Sequence, residues 1–237
     1  MRMLTGQDEI VFADRSRGGP HQRLAGLAVA LGDRSPDQLA ALTLPEWEAH
    51  LLAIRVGLAG QRIEAEASCP DCGAGVALTF RAEDLPREEP VPKGECGPLS
   101  LQDLLAIEAT GLRGEAALAA LLAASCRVDD ETAAAMLSGP QRAGRIAALE
   151  GRAAGLGLEL ATACADCGAE MVLPFDVAAF LDGEMGARAA RLLDEVHLLA
   201  LSYHWSEAEI LALPSDRRQD YLKRILTTSA VSALGRA

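Results

Sequence analysis

Two short segments of this chain are copies of one another, and each carries a pair of cysteines at metal-ligand spacing. Ile63 to Phe80 reads IEAEASCPDCGAGVALTF and Leu158 to Phe175 reads LELATACADCGAEMVLPF. The second lies over the first at a constant offset of 95 residues, which makes the pair an internal repeat. In the first copy Glu64, Glu66 and Ser68 alternate with Ile63, Ala65 and Ala67; each copy then turns through Cys-x-x-Cys-Gly and runs on through β-prone residues to a phenylalanine. This pattern predicts a hairpin with the cysteines at its tip. Gly73 and Gly168 follow the second cysteine, where a turn that aims backbone N–H groups at the sulfurs can require positive φ.

One such knuckle supplies two thiolates, and zinc takes four tetrahedral ligands. The repeat therefore predicts one all-cysteine zinc site built from Cys69, Cys72, Cys164 and Cys167. The 91 residues between Cys72 and Cys164 do not prevent closure, because loop entropy grows only logarithmically with length. Four protein thiolates leave no open coordination position, so the expected zinc is structural and not catalytic. Three rival readings stand beside this one. A thioredoxin-like redox pair sits where a strand opens into a helix, whereas β-prone residues follow here. Disulfides are disfavoured in a reducing compartment, and relic knuckles that bind nothing are the third alternative. Cys96, in PVPKGECGPLS, has no partner at ligand spacing and reads as an ordinary thiol, with a fifth-ligand role left open. Cys126 follows the run LRGEAALAALLAAS and reads as a small core residue.

At 237 residues the chain is long enough to bury a core without disulfide staples. Half of it is apolar but only 3% is aromatic, and the apolar share is mostly Ala and Leu, which favours helices over sheets. The expected fold is mostly α with a small β component: two CxxCG zinc-knuckle hairpins form a zinc-ribbon-like centre among helical N-terminal, inserted and C-terminal segments. The expected division is a helical segment over 1–62, the first knuckle over 63–82, a linker and inserted helical bundle over 83–156, the second knuckle over 157–180, and a helical segment over 181–237. Arg15 to Pro20 reads as a flexible turn, residues 1–20 give little other signal, and a helix is expected over about Gln22 to Leu31. Ser35-Pro36-Asp37-Gln38 and the capping box Thr43-Leu44-Pro45-Glu46 start two further helices, the second carrying Trp47, Leu51, Leu52 and Ile54 to an end near Gly57 to Gly60. Leu85 to Pro98 reads as a linker. Ser100, Gly111, Asp129 and Pro140 punctuate four helices in the insert, the last running to the glycines at 155 and 157. Leu181, Met185, Ala189, Leu192, Val196, Leu199 and Tyr203 recur at helical spacing and predict one long helix despite Gly183 and Gly186. Ser206 opens another capping box and Ser215 is expected to cap the last helix.

With 22 Lys plus Arg against 34 Asp plus Glu, the formal charge is -12, which repels a phosphate backbone and argues against a nucleic-acid partner. No apolar stretch approaches the roughly 20 residues that span a bilayer, and the first residues lack the apolar core of a signal peptide; a cytoplasmic protein with no membrane partner is expected. There is no Walker loop, GxGxxG, HExxH or GxSxG motif, so neither catalysis nor a small-molecule substrate is expected. His197 and His204 are seven residues apart on one helix, about 10 Å of rise, too far to share one metal ion.

The ordered combination of LPEWEAHLLAIR, a CPDCG knuckle, a helical insert, a second CxxCG knuckle and RLLDEVHLLALSYHWSEAEILALPSDRRQDYLKRI resembles the baseplate protein family of contractile tails. That family includes the T4-type baseplate hub assembly chaperones and their counterparts in phage-tail-like contractile injection systems. The likeness covers most of the chain and is most specific between Arg191 and Tyr221, where Glu195, His197, Tyr203, Trp205, Ser206, Glu207, Ile210, Leu213, Arg217, Arg218 and Tyr221 match the family pattern. Tyr203-His204-Trp205 departs from the family's Tyr-Gly-Trp. The resemblance implies a non-enzymatic protein that assembles, or forms part of, the hub or baseplate, with hub, baseplate or spike proteins as partners and a place in the cytoplasm or in the assembled particle. Tyr203, Trp205, Glu207, Arg217, Arg218 and Tyr221 are the candidate partner contacts, being aromatics and arginines concentrated beside a turn; the alternative is that Trp205 and Tyr221 pack the two helices together, with Arg217 and Arg218 solvated or paired to nearby acids. The competing functional class is a zinc-ribbon regulator of nucleic acid or transcription machinery, against which the knuckle flanks lack Lys and carry acids at 64, 66, 71, 159, 166 and 170. A CxxC thiol oxidoreductase is the third class.

Overall fold

Side-chain caps and apolar stripes account for most of the elements in the computed structural model, which describes residues 2–14, 18–32, 34–85, 96–152 and 158–234. The order is α1 (Gly6–Ala13), α2 (Pro20–Ala30), α3 (Pro36–Ala40), α4 (Leu44–Ala59), β1 (Arg62–Ser68), β2 (Gly75–Arg81), α5 (Leu101–Thr110), α6 (Gly114–Cys126), α7 (Asp130–Ser138), α8 (Arg142–Arg152), β3 (Leu158–Ala163), β4 (Glu170–Phe175), α9 (Val177–Tyr203), α10 (Glu207–Leu211) and α11 (Ser215–Leu234). The protein is mostly helical with two small antiparallel sheets. Thr43, Ser100, Asp129 and Ser206 cap α4, α5, α7 and α10 through their side chains, each satisfying a backbone N–H that has no partner within its helix. Most of the expected turn at Arg15 to Pro20, most of the linker after Leu85 and the glycines at 155 and 157 lie outside the described residues.

Two compact units divide the chain: Met1–Ser35 with Asp182–Ala237, and Pro36–Leu181. In the second, α4 buries Leu44, Trp47, Leu51 and Ile54, a helical stripe read from the sequence. The segment after residue 95 returns to the start of this helix: Leu44 N–H donates to the Leu99 carbonyl and Leu101 N–H to that of Leu42. Leu99 and Leu149 then pack on Leu44, and Leu122, Ala123, Ala133 and Leu137 form a second small core between α6 and α7. The expectation of two unpartnered cysteines is overturned here, because Cys96 and Cys126 form a disulfide. Gly97 N–H donates to the Ser125 carbonyl and the Ser125 hydroxyl donates to the Gly97 carbonyl, which lays the two cysteines side by side. Thirty residues of separation carry no spacing signal for such a pair.

The other unit contains a helix that the sequence reading passed over. Thr5 and Asp8 make a capping box for α1, with Asp in place of the more familiar Glu or Gln, and Glu9 on its inner face is fully buried and breaks the apolar stripe. Glu9 accepts from Arg218 Nη2 at 2.6 Å and from Arg188 Nε at 2.9 Å. Arg218, itself 0% exposed, also donates to Glu195 at 3.0 Å and to the Leu213 carbonyl at 2.9 Å. A second buried pair joins Arg23 to both oxygens of Asp182, at 2.7 and 2.8 Å. Ser215 does not cap α11 as expected; it is the first residue of that helix, and its buried hydroxyl accepts from Arg188. On α9 the expected stripe of Leu181, Met185, Ala189, Leu192 and Leu199 is buried.

Two outcomes follow from these buried charges. Arg218→Ala leaves Glu9 ionised and buried with half its partners gone and is expected to cost about 3–5 kcal/mol, while exposed Arg217→Ala costs under about 0.5 kcal/mol; urea denaturation distinguishes the two. In the other unit, Glu48 is buried with its Oε1 unpartnered among the described residues. Burial first, and then the nearby Asp176 carboxylate, push its carboxyl from the ordinary 4.5 up to about 7, against the Val177 N–H. Because the folded value is raised, the stability Glu48 contributes is complete below about 4.5 and is lost as pH climbs through about 7. Glu48→Gln is therefore expected to exceed the parent by ~1–3 kcal/mol at pH 8 and to match it near pH 4.5, measured by denaturation at both values.

Candidate metal centre

The β1–β2 and β3–β4 pairs repeat one design. Ser68 lies opposite Gly75 in the first and Ala163 opposite Glu170 in the second, so each connection holds its Cys-x-x-Cys-Gly run. In the first, Cys69 N–H donates to the Ala74 carbonyl and Gly73 N–H to that of Cys69; in the second, Cys164 and Gly168 make the same bonds to Ala169 and Cys164. Gly73 and Gly168 both have φ of +75°, a backbone state that costs other residues roughly 1 kcal/mol or more. The glycine after each second cysteine is thus required by the turn.

Each sheet has two strands, and no backbone ladder joins one sheet to the other. They meet through side chains, and the residues that meet are equivalents in the repeat. Cys69, Val76, Cys164 and Met171 form one buried cluster, against which Leu78 and Leu173 pack. Phe80 and Phe175 close the far end edge to face, with centroids 5.1 Å apart. Every one of these pairs is related by the 95-residue offset, so the two hairpins pack about an approximate two-fold relation. This pairing was written in the aligned repeat.

At the tips, Cys69 Sγ is 3.8 Å from Cys167 Sγ and Cys72 Sγ is 3.7 Å from Cys164 Sγ, the reciprocal contacts that an approximate two-fold demands. All four ligand sulfurs lie within 4.8 Å of one another, and they are free thiols. The two contacts of 3.7 and 3.8 Å match the edge of a regular tetrahedron whose centre lies about 2.3 Å from each corner, the length of a metal–thiolate bond. Cys69 and Cys164 are buried, whereas Cys72 and Cys167 face outward.

The electrostatics also call for a cation. Backbone N–H groups of Cys167 and Asp166 bring the Cys164 thiol down to about 7. The Ala74 N–H acts the same way on Cys72 but is outweighed, chiefly by the neighbouring sulfurs of Cys167 and Cys69, and Cys72 is pushed up to about 12. Cys167 is raised as well: the Ala169 N–H opposes the shift, while desolvation and the sulfurs of Cys164 and Cys69 drive it. One thiolate forms easily and the next ones resist, because negative charge accumulates in a small volume. A bound dication removes that resistance. The four cysteines could therefore hold a metal ion, with all four positions filled by protein.

The C-terminal candidates are placed as follows. Tyr203, Trp205 and Tyr221 form a half-buried aromatic trio, Tyr203 stacked on Trp205 at 4.9 Å and Tyr221 edge-on to Trp205 at 4.9 Å. They pack against a core of Leu199, Ile210 and Leu222. Glu207 and Arg217 are exposed. Arg218 is the exception to the expected contact surface, since its guanidinium is consumed by Glu9 and Glu195 in the interior. Cys96 lies outside the sulfur cluster, in its disulfide with Cys126, and His197 and His204 are exposed.

The purified chain is expected to carry one metal ion, measured by elemental analysis, and to lose at least ~10 °C of melting temperature on chelation, since metal-binding energy is folding energy for paired hairpins this small. Cys164→Ser should lose the ion, and a Cys96→Ala/Cys126→Ala double variant should keep it. A comparison with known proteins finds no match to this chain among protein families, curated sequences or solved structures.

Proposed function

We propose that this protein is a non-enzymatic baseplate or hub assembly factor, or a structural baseplate component, of a contractile tail or contractile injection system, stabilised by a structural zinc on two knuckles that form a zinc-ribbon-like centre. The tetrahedral sulfur spacing, which corresponds to a metal–sulfur length of about 2.3 Å, supports zinc. Four protein ligands leave no position for substrate, which supports a structural role for the ion.

The observation that carries the family reading lies in the segment where the resemblance is strongest. Its residues are not scattered over a surface but interlock: Glu195 pairs with Arg218, Ser206 caps α10, Ile210 sits in the core, and Tyr203, Trp205 and Tyr221 pack together. His204, which stands where the family pattern has glycine, ends α9 with φ of +58°. A glycine is the residue best suited to that left-handed position, so the family pattern and the local geometry agree. Among the described residues no helix is long and apolar enough to cross a membrane.

The partner surface is the exposed rim of the aromatic trio, with Glu207 and Arg217 as its charged contacts and Arg218 holding the unit together from beneath. Affinity capture with the full chain, co-expressed with sheath, tube, hub and spike proteins of a contractile tail, should retain a hub or baseplate component. A Glu207→Arg/Arg217→Glu variant should keep the parent's melting temperature and lose capture by tenfold or more. Failure of the parent chain to retain any tail component rejects the reading; unchanged capture by the folded double variant rejects the surface.

A further inference from the structure

The outer face of α9 has no role in the centre or in the aromatic surface, and its pattern is that of a helix seam. Gly183, Ala187, Ala190, Asp194, His197 and Leu201 recur at alternating spacings of four and three residues, and all six are exposed. That alternation is a heptad repeat, which places its members along one side of a helix. They stand opposite the buried stripe of Leu181, Met185, Leu192 and Leu199. Leu193 and Leu201 on this outer side are each 66% exposed, and Leu198 beside them 40%.

Size is distributed unevenly along the seam. Its N-terminal half is small, with Gly183, Ala187 and Ala190; its C-terminal half, with Asp194, His197 and Leu201, is larger, and Leu193 flanks it. Gly183 is not small on account of its own fold, because a Cβ built there meets nothing within 4 Å, and a glycine inside a helix costs about 1 kcal/mol relative to alanine. Arg191 and Asp194 flank the middle of the seam, both exposed and without an ion pair among the described residues. Open space over a helical glycine, large side chains half a seam away and two unused opposite charges at the midpoint describe a surface whose complement is itself, reversed.

We propose that two copies of this chain pair antiparallel through the exposed face of α9. A two-fold axis between Leu192 and Leu193 sets Arg191 of each copy opposite Asp194 of the other, giving two reciprocal ion pairs. The same register sets Leu201 one residue from Gly183 of the other copy and brings Leu193 beside its own copy near the axis. A parallel pairing would instead set large against large and leave the small half as a void, and it would place like charges side by side. The seam from Gly183 to Leu201 is about 27 Å long, which lies at the small end of specific interfaces. The dimer is accordingly weak and concentration-dependent. It stands independently of the proposed tail function, since it uses a different face and needs no partner other than the chain.

Sedimentation velocity of the full chain over a concentration series up to about 0.1 mM tests this. The expected result is a monomer–dimer equilibrium whose dimer fraction rises with concentration. Gly183→Leu fills the hole without a clash in the monomer, so the variant should keep its melting temperature and weaken the dimer tenfold or more. Arg191→Asp and Asp194→Arg should each weaken it about tenfold, and the double swap should restore it, because the reciprocal pairs are then re-formed with signs exchanged. A chain that stays monomeric throughout overturns the proposal. A dimer that tolerates Gly183→Leu overturns the face, and a double swap no better than the single ones overturns the antiparallel register.

Discussion

Four sulfurs drawn from two distant turns are the constraint on which the Pro36–Leu181 unit depends. Two-stranded hairpins are marginal in water, and here there are two of them with no ladder between them. What joins them is a thin layer of equivalent side chains and the cysteine cluster at the tips. The sulfurs at Cys72 and Cys167 resist ionising, since thiolates so close together repel one another. A metal ion held there would couple hairpin packing to closure of the long insert.

The insert between the hairpins solves a different problem. Its helices form small cores of their own and tie back to the start of α4 through the Leu44–Leu99 and Leu42–Leu101 backbone bonds. A disulfide between Cys96 and Cys126 holds the same region. The chain thus combines two kinds of sulfur linkage, one that needs reduced thiolates and one that needs oxidised sulfur.

In the unit made of Met1–Ser35 and Asp182–Ala237, buried charge ties the elements together. Glu9, Arg218, Glu195, Arg188 and Ser215 form a connected set that spans α1, α9 and α11. Such a network contributes less net stability than apolar packing of the same volume, but it penalises every arrangement that leaves one member unpaired. Arg218, paired with both Glu9 and Glu195, is an organiser of this unit, whereas Arg217 and Glu207 lie on the outside.

The sequence by itself determined the two cysteine turns that come together, most helix starts and the buried face of α9. These are local or periodic: Cys-x-x-Cys-Gly specifies a turn, Thr43 and Ser206 specify caps, and a stripe such as Leu181, Met185, Leu192 and Leu199 specifies a face, each through neighbours a few residues away. It was silent on the Cys96–Cys126 bridge and on the burial of Arg218, and it gave little signal over residues 1–20, where Thr5 and Asp8 cap α1. Those were decided by tertiary structure. A lone cysteine and an arginine in a polar run look the same in sequence whether exposed or buried, and only the partner brought up from 30 or 209 positions away supplies the bond or countercharge that makes burial favourable.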